Sequence, residues 1–206
     1  LLEHEAIDCI VDVGANKGQY GRFCREIGFS GLIISAEPDP LVHAELQAVA
    51  GSDRNWTTVC AAMSAQTGTM VFHRSRDSQF SSLLPPDPTA LSQHGAGLSV
   101  VDEIQVPVNT VANLVQEYAS RSRRIWLKTD TQGHDVQVLA GALSVLDRVR
   151  VIQAEVPKLR LYKDSLGFAE TIEAIERLGF GVHALHAVNH DRAGLAVDFD
   201  CLFVRA

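Results

Sequence analysis

The chain has 206 residues, of which 46% are apolar and 21% charged, and a formal net charge of −7. That length suits one domain with a real buried core, and the composition is that of an ordinary globular protein rather than a disordered or fibrous one. The acidic balance argues against a nucleic-acid partner, because a phosphate backbone wants a basic footprint.

Taken in order, apolar runs alternate with helical patterns along the whole chain. Residues 6–13 read as a strand buried on both faces, and residues 18–27 as a helix stopped by Gly28. A second strand at 32–35 runs into Glu37-Pro38, followed by a helix at 41–49 and a third strand at 56–61. A short additional strand is expected at 69–73. Residues 74–102, rich in Ser, Pro, Gly and Asp, read as irregular. That is too long for a plain connection, so the segment is expected to be a lid or an insertion. A strand at 104–108 leads to Thr110, which can cap a helix through Tyr118. Then come a strand at 125–129, a helix at 135–143, a strand at 149–154 and a helix at 168–178 stopped by Gly179. Strands at 182–188 and 201–204, joined by a polar loop, close the chain as an antiparallel pair.

Strands alternating with helices predict a mostly parallel sheet covered on both faces, a three-layer α/β sandwich. No repeat or linker divides residues 1–206, so one domain is expected. No apolar run reaches the roughly 18 residues of a membrane span, and the first residues lack the pattern of a secretory signal. The four cysteines, Cys9, Cys24, Cys60 and Cys201, show neither zinc-knuckle nor redox spacing. Free thiols in a cytoplasmic protein are the expectation.

The strongest chemical signal is Val11-Asp12-Val13-Gly14-Ala15-Asn16-Lys17-Gly18-Gln19-Tyr20-Gly21, which leaves the first strand and opens the first helix. Glycine there permits a tight turn and a close ligand, and the helix start offers free amide donors. Asp12 ends a buried strand, where a carboxylate is costly without a partner; a ligand ammonium would be one. Glu37, at the end of the second strand, stands where an acid commonly grips ribose hydroxyls. A dinucleotide fingerprint would read G-x-G-x-x-G, but the central position here is Asn16. A carboxylate beside a pyrophosphate would also repel it. S-adenosylmethionine, which carries a positive charge and no phosphate, fits better.

A second constellation, Lys128-Thr129-Asp130-Thr131-Gln132-Gly133-His134-Asp135, follows the strand at 125–129, and Glu155 ends the next one. Ligands bind outside the carboxyl ends of such strands, so Asp130 should share a crevice with Asp12. If the two strands pair, Asp130 and Glu155 are neighbours able to divide acid and base roles or to hold a divalent cation such as Mg²⁺. The structural alternatives are a helix cap for Asp130 or Asp135 and an ion pair for Glu155. His134 is an alternative base, since imidazole titrates near neutrality, or else a surface histidine of the first helical turn. Lys128 is expected to pair with a carboxylate. His73, His94, His183 and His186 show no ligand spacing and read as structural or exposed.

These residues together resemble the FkbM-type methyltransferases over nearly the whole chain. The first motif is similar to that family's cofactor loop, Glu37-Pro38 to its second-strand ending and Ser81-Ser82-Leu83 to its serine pair. Lys128-Thr129-Asp130-Thr131-Gln132-Gly133 with Val138-Leu139-Ala140-Gly141-Ala142 resembles its most distinctive signature, and Glu155-Val156 and Leu161-Tyr162 also fit. Asn113 stands where the family often has Asp. The resemblance implies a class I, Rossmann-like methyltransferase that moves a methyl group from S-adenosylmethionine to a hydroxyl of a sugar or natural product. Cofactor contacts are expected from Asp12, Gly14, Asn16, Gly18, Tyr20, Glu37, Pro38, Ala61, Ser82 and Asp130, and catalysis from Asp130, His134 or Glu155. Two alternatives remain at this point: a cofactor-binding module without catalysis, and a dinucleotide-dependent enzyme.

Overall fold

The computed structural model describes residues 1–94, 96–190 and 194–205. Gly95, within the expected lid, and residues 191–193, within the expected C-terminal loop, lie outside the described residues, as does the side chain of His94. Seven strands form the main sheet: β1 (Cys9–Val13), β2 (Leu32–Ala36), β3 (Trp56–Val59), β7 (Ile125–Thr129), β8 (Val149–Pro157), β9 (Phe180–Ala187) and β10 (Asp198–Arg205). Their order is β3-β2-β1-β7-β8-β10-β9. The first five run parallel, whereas β10 pairs antiparallel with both β8 and β9. This is the parallel sheet with an antiparallel C-terminal ending that the sequence predicts.

Both faces are covered because the inner strands are apolar on both faces. Along β1, Ile10 faces a cluster with Ile33, Trp126 and Val151 that packs on Cys24 of α1 (Gln19–Glu26) and Leu46 of α2 (Pro40–Ala50). Its neighbours Val11 and Val13 face the opposite cluster. There they meet Leu114 of α4 (Val111–Tyr118), Leu139 of α5 (Asp135–Ala140) and Ile175 of α6 (Phe168–Glu176). Burying each such side chain stabilises the fold by about 1.5–3 kcal/mol, which is why β1 stays apolar except at Asp12. Among the described residues no helix is long and apolar enough to cross a membrane.

A second, smaller sheet has the order β4-β6-β5, from β4 (Ala62–Met63), β5 (Gly68–Ser75) and β6 (Val100–Asn109). Here the structure departs from the irregular 74–102 segment of the sequence reading. β5 and β6 extend into it from both ends as a long antiparallel pair. Between them lie a turn of 3-10 helix at Ser78–Phe80, the helix α3 (Pro88–His94) and a second 3-10 turn at Ala96–Leu98. Asp87 starts α3 by accepting the amides of Thr89 and Ala90, with Pro88 in the first helical position, where its missing N–H costs nothing. The predicted first strand is likewise shorter, because residues 2–6 form turns and Ala6 stands at φ 45.

Candidate active site

The turn from β1 into α1 is set by backbone geometry. Gly14 stands at φ 75, and a Cβ on it would meet the Asp130 carbonyl oxygen at 1.9 Å. Only glycine therefore lets the ends of β1 and β7 come this close. The amides of Gly14 and Ala15 both donate to the Ala36 carbonyl at 3.0 Å, closing the turn against β2. Asn16 follows at φ 46 and donates its amide to Glu37 Oε2 at 3.0 Å, while Asp39 donates to Oε1 at 2.9 Å. Burial pushes the Glu37 carboxyl up to about 7, against the pull of these two amides. The side chain of Asn16 reaches Ser78 Oγ at 3.2 Å, joining the cofactor turn to the segment beyond β5.

At the end of β7 the chain turns sharply, with Gln132 at φ 55 and Gly133 at φ 91. Asp130 donates its amide to the Val13 carbonyl and directs its carboxylate to Lys128 Nζ at 3.3 Å and Gln132 Nε2 at 3.1 Å. Neither partner is an amide of α5, so the helix-cap alternative for Asp130 is not what forms. Asp135 holds the turn instead, accepting the Thr129 hydroxyl at 2.6 Å and the Thr131 amide at 3.1 Å. β7 and β8 do pair, with Thr129 opposite Ala154, so Asp130 and Glu155 stand side by side. Burial first, then the charges of Asp130, Asp198, Asp135 and Asp200, hold the Glu155 carboxyl well above the usual range.

These elements enclose a cavity of about 210 Å³ above the carboxyl ends of β1, β2, β7 and β8. Gly14, Asn16, Glu37, Pro38, Ala61, Asp130 and Glu155, all candidates from the sequence, line it. Ala62, Met63, Phe72 and Phe80 add apolar walls, and Ser78, Gln79, Ser81, Thr131, Gln132 and Asn189 add hydrogen-bonding groups. Its lining contains three carboxylates and, among the described residues, no Lys, Arg or His. A pyrophosphate would find no cation there, whereas a sulfonium and an ammonium meet carboxyl groups and neutral hydrogen-bonding side chains. The residues present thus fit S-adenosylmethionine.

Other sequence expectations are placed elsewhere. Asp12 is fully buried below the cavity, bonded to Ser35 at 3.3 Å and facing Lys128 Nζ at 3.4 Å, so its ammonium partner belongs to the protein itself. Burial works against the Lys128 ammonium, but Asp130, Asp12 and Asp200 outweigh it and hold the lysine above its usual range. Tyr20 lies under the Lys128 ammonium and donates to Gln153 at 2.8 Å. Gly18 packs beneath the turn, where a Cβ would meet Leu46 at 2.8 Å. His134 is buried, not at the surface; it points away from the cavity, bonded to Ser64 at 2.9 Å, and burial lowers its pKa, which favours the neutral ring. Ser82 lies behind the wall, donating to the Gln132 carbonyl at 2.9 Å and accepting the Leu84 amide at 3.0 Å. Asn113 donates its side-chain amide to Asn109 at 2.9 Å while Thr110 caps the helix, which gives an Asn a use at that position.

The sequence reading assigned no role to Gln132 or Tyr162, and both converge on this site from across the chain. Asp130 and Glu155 are also the two carboxylates that the sequence offers to a divalent cation. Among the described residues no three His, Cys, Asp or Glu side chains come together as a metal site, and the Gln132 amide stands between the two carboxylates.

Comparison with known proteins agrees with the geometry. No curated protein sequence matches the chain. Among solved structures, it resembles magnesium protoporphyrin IX methyltransferase from Synechocystis PCC 6803 with bound S-adenosylmethionine. The TM-score is 0.52 at 12% identity, over 96% of this chain and 69% of that one. It also resembles the fibrillarin of Aeropyrum pernix in complex with the same cofactor, with a TM-score of 0.52, 12% identity and coverage of 96% and 66%. Likeness at that identity establishes the class I methyltransferase fold and nothing finer. A family model described as the methyltransferase FkbM domain matches residues 12–182, and the chain belongs to the FkbM family of S-adenosylmethionine-dependent methyltransferases.

Proposed function

We propose that this protein transfers a methyl group from S-adenosylmethionine to a hydroxyl of a small, polyhydroxylated acceptor, a sugar or a natural product. The observation that carries this is the cavity itself: carboxylates at the strand ends, hydrogen-bonding side chains around them, and no basic group in the described lining. The cofactor supplies a methyl group already activated on a sulfonium. Glu37 is placed to accept ribose hydroxyls, its two oxygens held in position by the amides of Asn16 and Asp39. Gly14, Pro38 and Ala61 shape the wall against which the cofactor packs. Holding an acceptor oxygen in line with the methyl group contributes on the order of 7–11 kcal/mol.

Methylating a hydroxyl requires the acceptor oxygen to give up its proton. Asp130 is placed to take it. Its carboxylate lines the cavity, and a positioned base contributes about 10²–10⁴-fold. The segment between β5 and β6 is read as a lid, because Ser78, Gln79, Phe80, Ser81 and Leu83 already wall the cavity. On this reading its amide exchange slows when cofactor binds.

Calorimetry should show S-adenosylhomocysteine binding and none for NAD. Radiolabelled S-adenosylmethionine should then label one or more members of a panel of hydroxylated small molecules. Tight NAD binding would overturn the cofactor assignment. Binding of S-adenosylhomocysteine with labelling only of amine or thiol acceptors would overturn the hydroxyl assignment.

A further inference from the structure

One side chain joins the two carboxylates at the end of the cavity. Gln132 donates from Nε2 to Glu155 Oε2 at 2.7 Å and to Asp130 Oδ1 at 3.1 Å, and its Oε1 accepts the Tyr162 hydroxyl at 2.9 Å. A carboxamide has two amide hydrogens and one carbonyl oxygen, so this arrangement gives one hydrogen to each carboxylate. The reverse orientation would aim the carbonyl at two carboxyl groups, so the nitrogen is assigned to the end that faces Asp130 and Glu155.

The backbone is arranged to hold that placement. Gln132 stands at φ 55, a left-handed conformation that a residue with a side chain adopts only against steric resistance. Ser82 clamps its carbonyl at 2.9 Å, and the Tyr162 hydroxyl lies as close to the Phe80 carbonyl as to Gln132. That hydroxyl has one hydrogen and serves one acceptor at a time, so Tyr162 ties the wall segment and the carboxamide together. The charged groups facing Glu155 are the carboxylates of Asp130, Asp198, Asp135 and Asp200, and Lys128 faces Asp130 from the other side.

We propose that Gln132 is the positioning residue of this site, its carboxamide holding Asp130 and Glu155 as one metal-free carboxylate pair turned toward the cavity. This rests on Asp130 being the group that takes the acceptor proton. The amide hydrogens favour the ionised form of each carboxyl, against the burial and the neighbouring carboxylates that hold Glu155 well above the usual range. A divalent cation at oxygen distances of about 2.0–2.6 Å would have to displace the amide nitrogen.

The test uses the full chain saturated with S-adenosylhomocysteine and follows the carboxyl carbons of Asp130 and Glu155 by carbon-13 NMR against pH. Gln132→Asn keeps a residue that tolerates left-handed backbone and shortens the reach by one methylene. Tyr162→Phe removes the hydroxyl and leaves residue 132 intact, so it carries the test if the first variant misfolds. Loss of the amide hydrogens should raise the titration of the pair by about one pH unit or more in Gln132→Asn, and by less in Tyr162→Phe. Identical titration in wild type and both variants overturns the proposal. A micromolar Mn²⁺ site in the wild type, read by electron paramagnetic resonance, overturns its metal-free part. Failure of the wild type to bind S-adenosylhomocysteine is a separate outcome, which removes the methyl-transfer reading and the positioning role that rests on it.

Discussion

Two groups of polar side chains lie within one turn of each other in this protein, and they obey different rules. The lower group is a row across the α1/α2 face of the sheet, in cross-strand register: Ser35, Asp12, Lys128 and Gln153. Trp56 donates to Ser35 at 3.0 Å, Ser35 to Asp12 at 3.3 Å and Tyr20 to Gln153 at 2.8 Å, while Lys128 meets Asp12 at 3.4 Å. The upper group, Asp130, Gln132 and Glu155, lines the cavity. Lys128 and Asp130 are two positions apart on one chain and in contact at 3.3 Å, yet one side chain is enclosed and the other reaches the cavity. In the closed row, losing a partner leaves a buried charge and should cost folding. In the open group, the same loss should cost turnover.

Four measurements break or sharpen that contrast. The largest effect is expected in the row. Lys128→Met strands the Asp12 carboxylate, and breaking a buried pair from one side costs about 3–5 kcal/mol. Denaturant unfolding should show that loss, and adding Asp12→Asn should recover most of it. Wild-type stability in Lys128→Met would mean that the row holds no ion pair. Next comes Asp130→Asn, which keeps the shape but can accept only one of the bonds from Lys128 and Gln132 and cannot take a proton. Methyl transfer to an acceptor found in the panel should fall at least about 100-fold, with Tm and S-adenosylhomocysteine affinity nearly unchanged. Near-normal turnover would pass the role of base to Glu155.

The third effect is smaller and depends on pH. Burial raises Glu37 to about 7, and only the ionised carboxylate can accept both ribose hydroxyls. Binding therefore favours the ionised form and releases protons near neutrality. Affinity for S-adenosylhomocysteine should level off above pH 7 and fall by up to about tenfold per pH unit below it. Calorimetry in buffers of different ionisation enthalpy reads the released proton, and Glu37→Gln should flatten the profile. A flat profile in the wild type would show that Glu37 does not bind in its ionised form. The smallest effect is at the surface. Asn113→Asp exchanges the bond to Asn109 for a negative charge in the first turn of α4, and stability should move by no more than about 0.5 kcal/mol.

Much of this was legible in the sequence, for identifiable reasons. The inner strands could be read because burial on both faces makes them apolar throughout, and Gly28 and Gly179 marked helix ends. Gly14, Asn16, Glu37, Asp130 and Glu155 could be placed because strand ends in a parallel sheet face one crevice. What escaped was set by register or by distance along the chain. The partner of Asp12 depends on Lys128 lying directly opposite it on β7, and no local pattern encodes that alignment. His134 finds Ser64, and Gln132 finds Tyr162, from far away in sequence. The outer half of β6, with Val100, Val101, Asp102 and Glu103 all exposed, has no buried face to betray it. Asp87-Pro88 was a usable helix-start signal, obscured by the turn-like composition around it.

The step from β3 into β4 has a consequence for how such a scaffold can change. After Val59 the chain leaves the main sheet, builds β5 and β6 as a separate antiparallel pair, and returns through α4 to β7. The residues between β5 and β6 wall the cavity but contribute no strand to the main sheet. Lengthening them costs only loop closure, roughly 0.6 kcal/mol for each doubling, and leaves the alignment of β1, β7 and β8 untouched. One wall can therefore be rewritten by drift or by design while the turn at Gly14 and the pair at Asp130 and Glu155 keep their places, so new acceptors can be sampled without re-solving the fold.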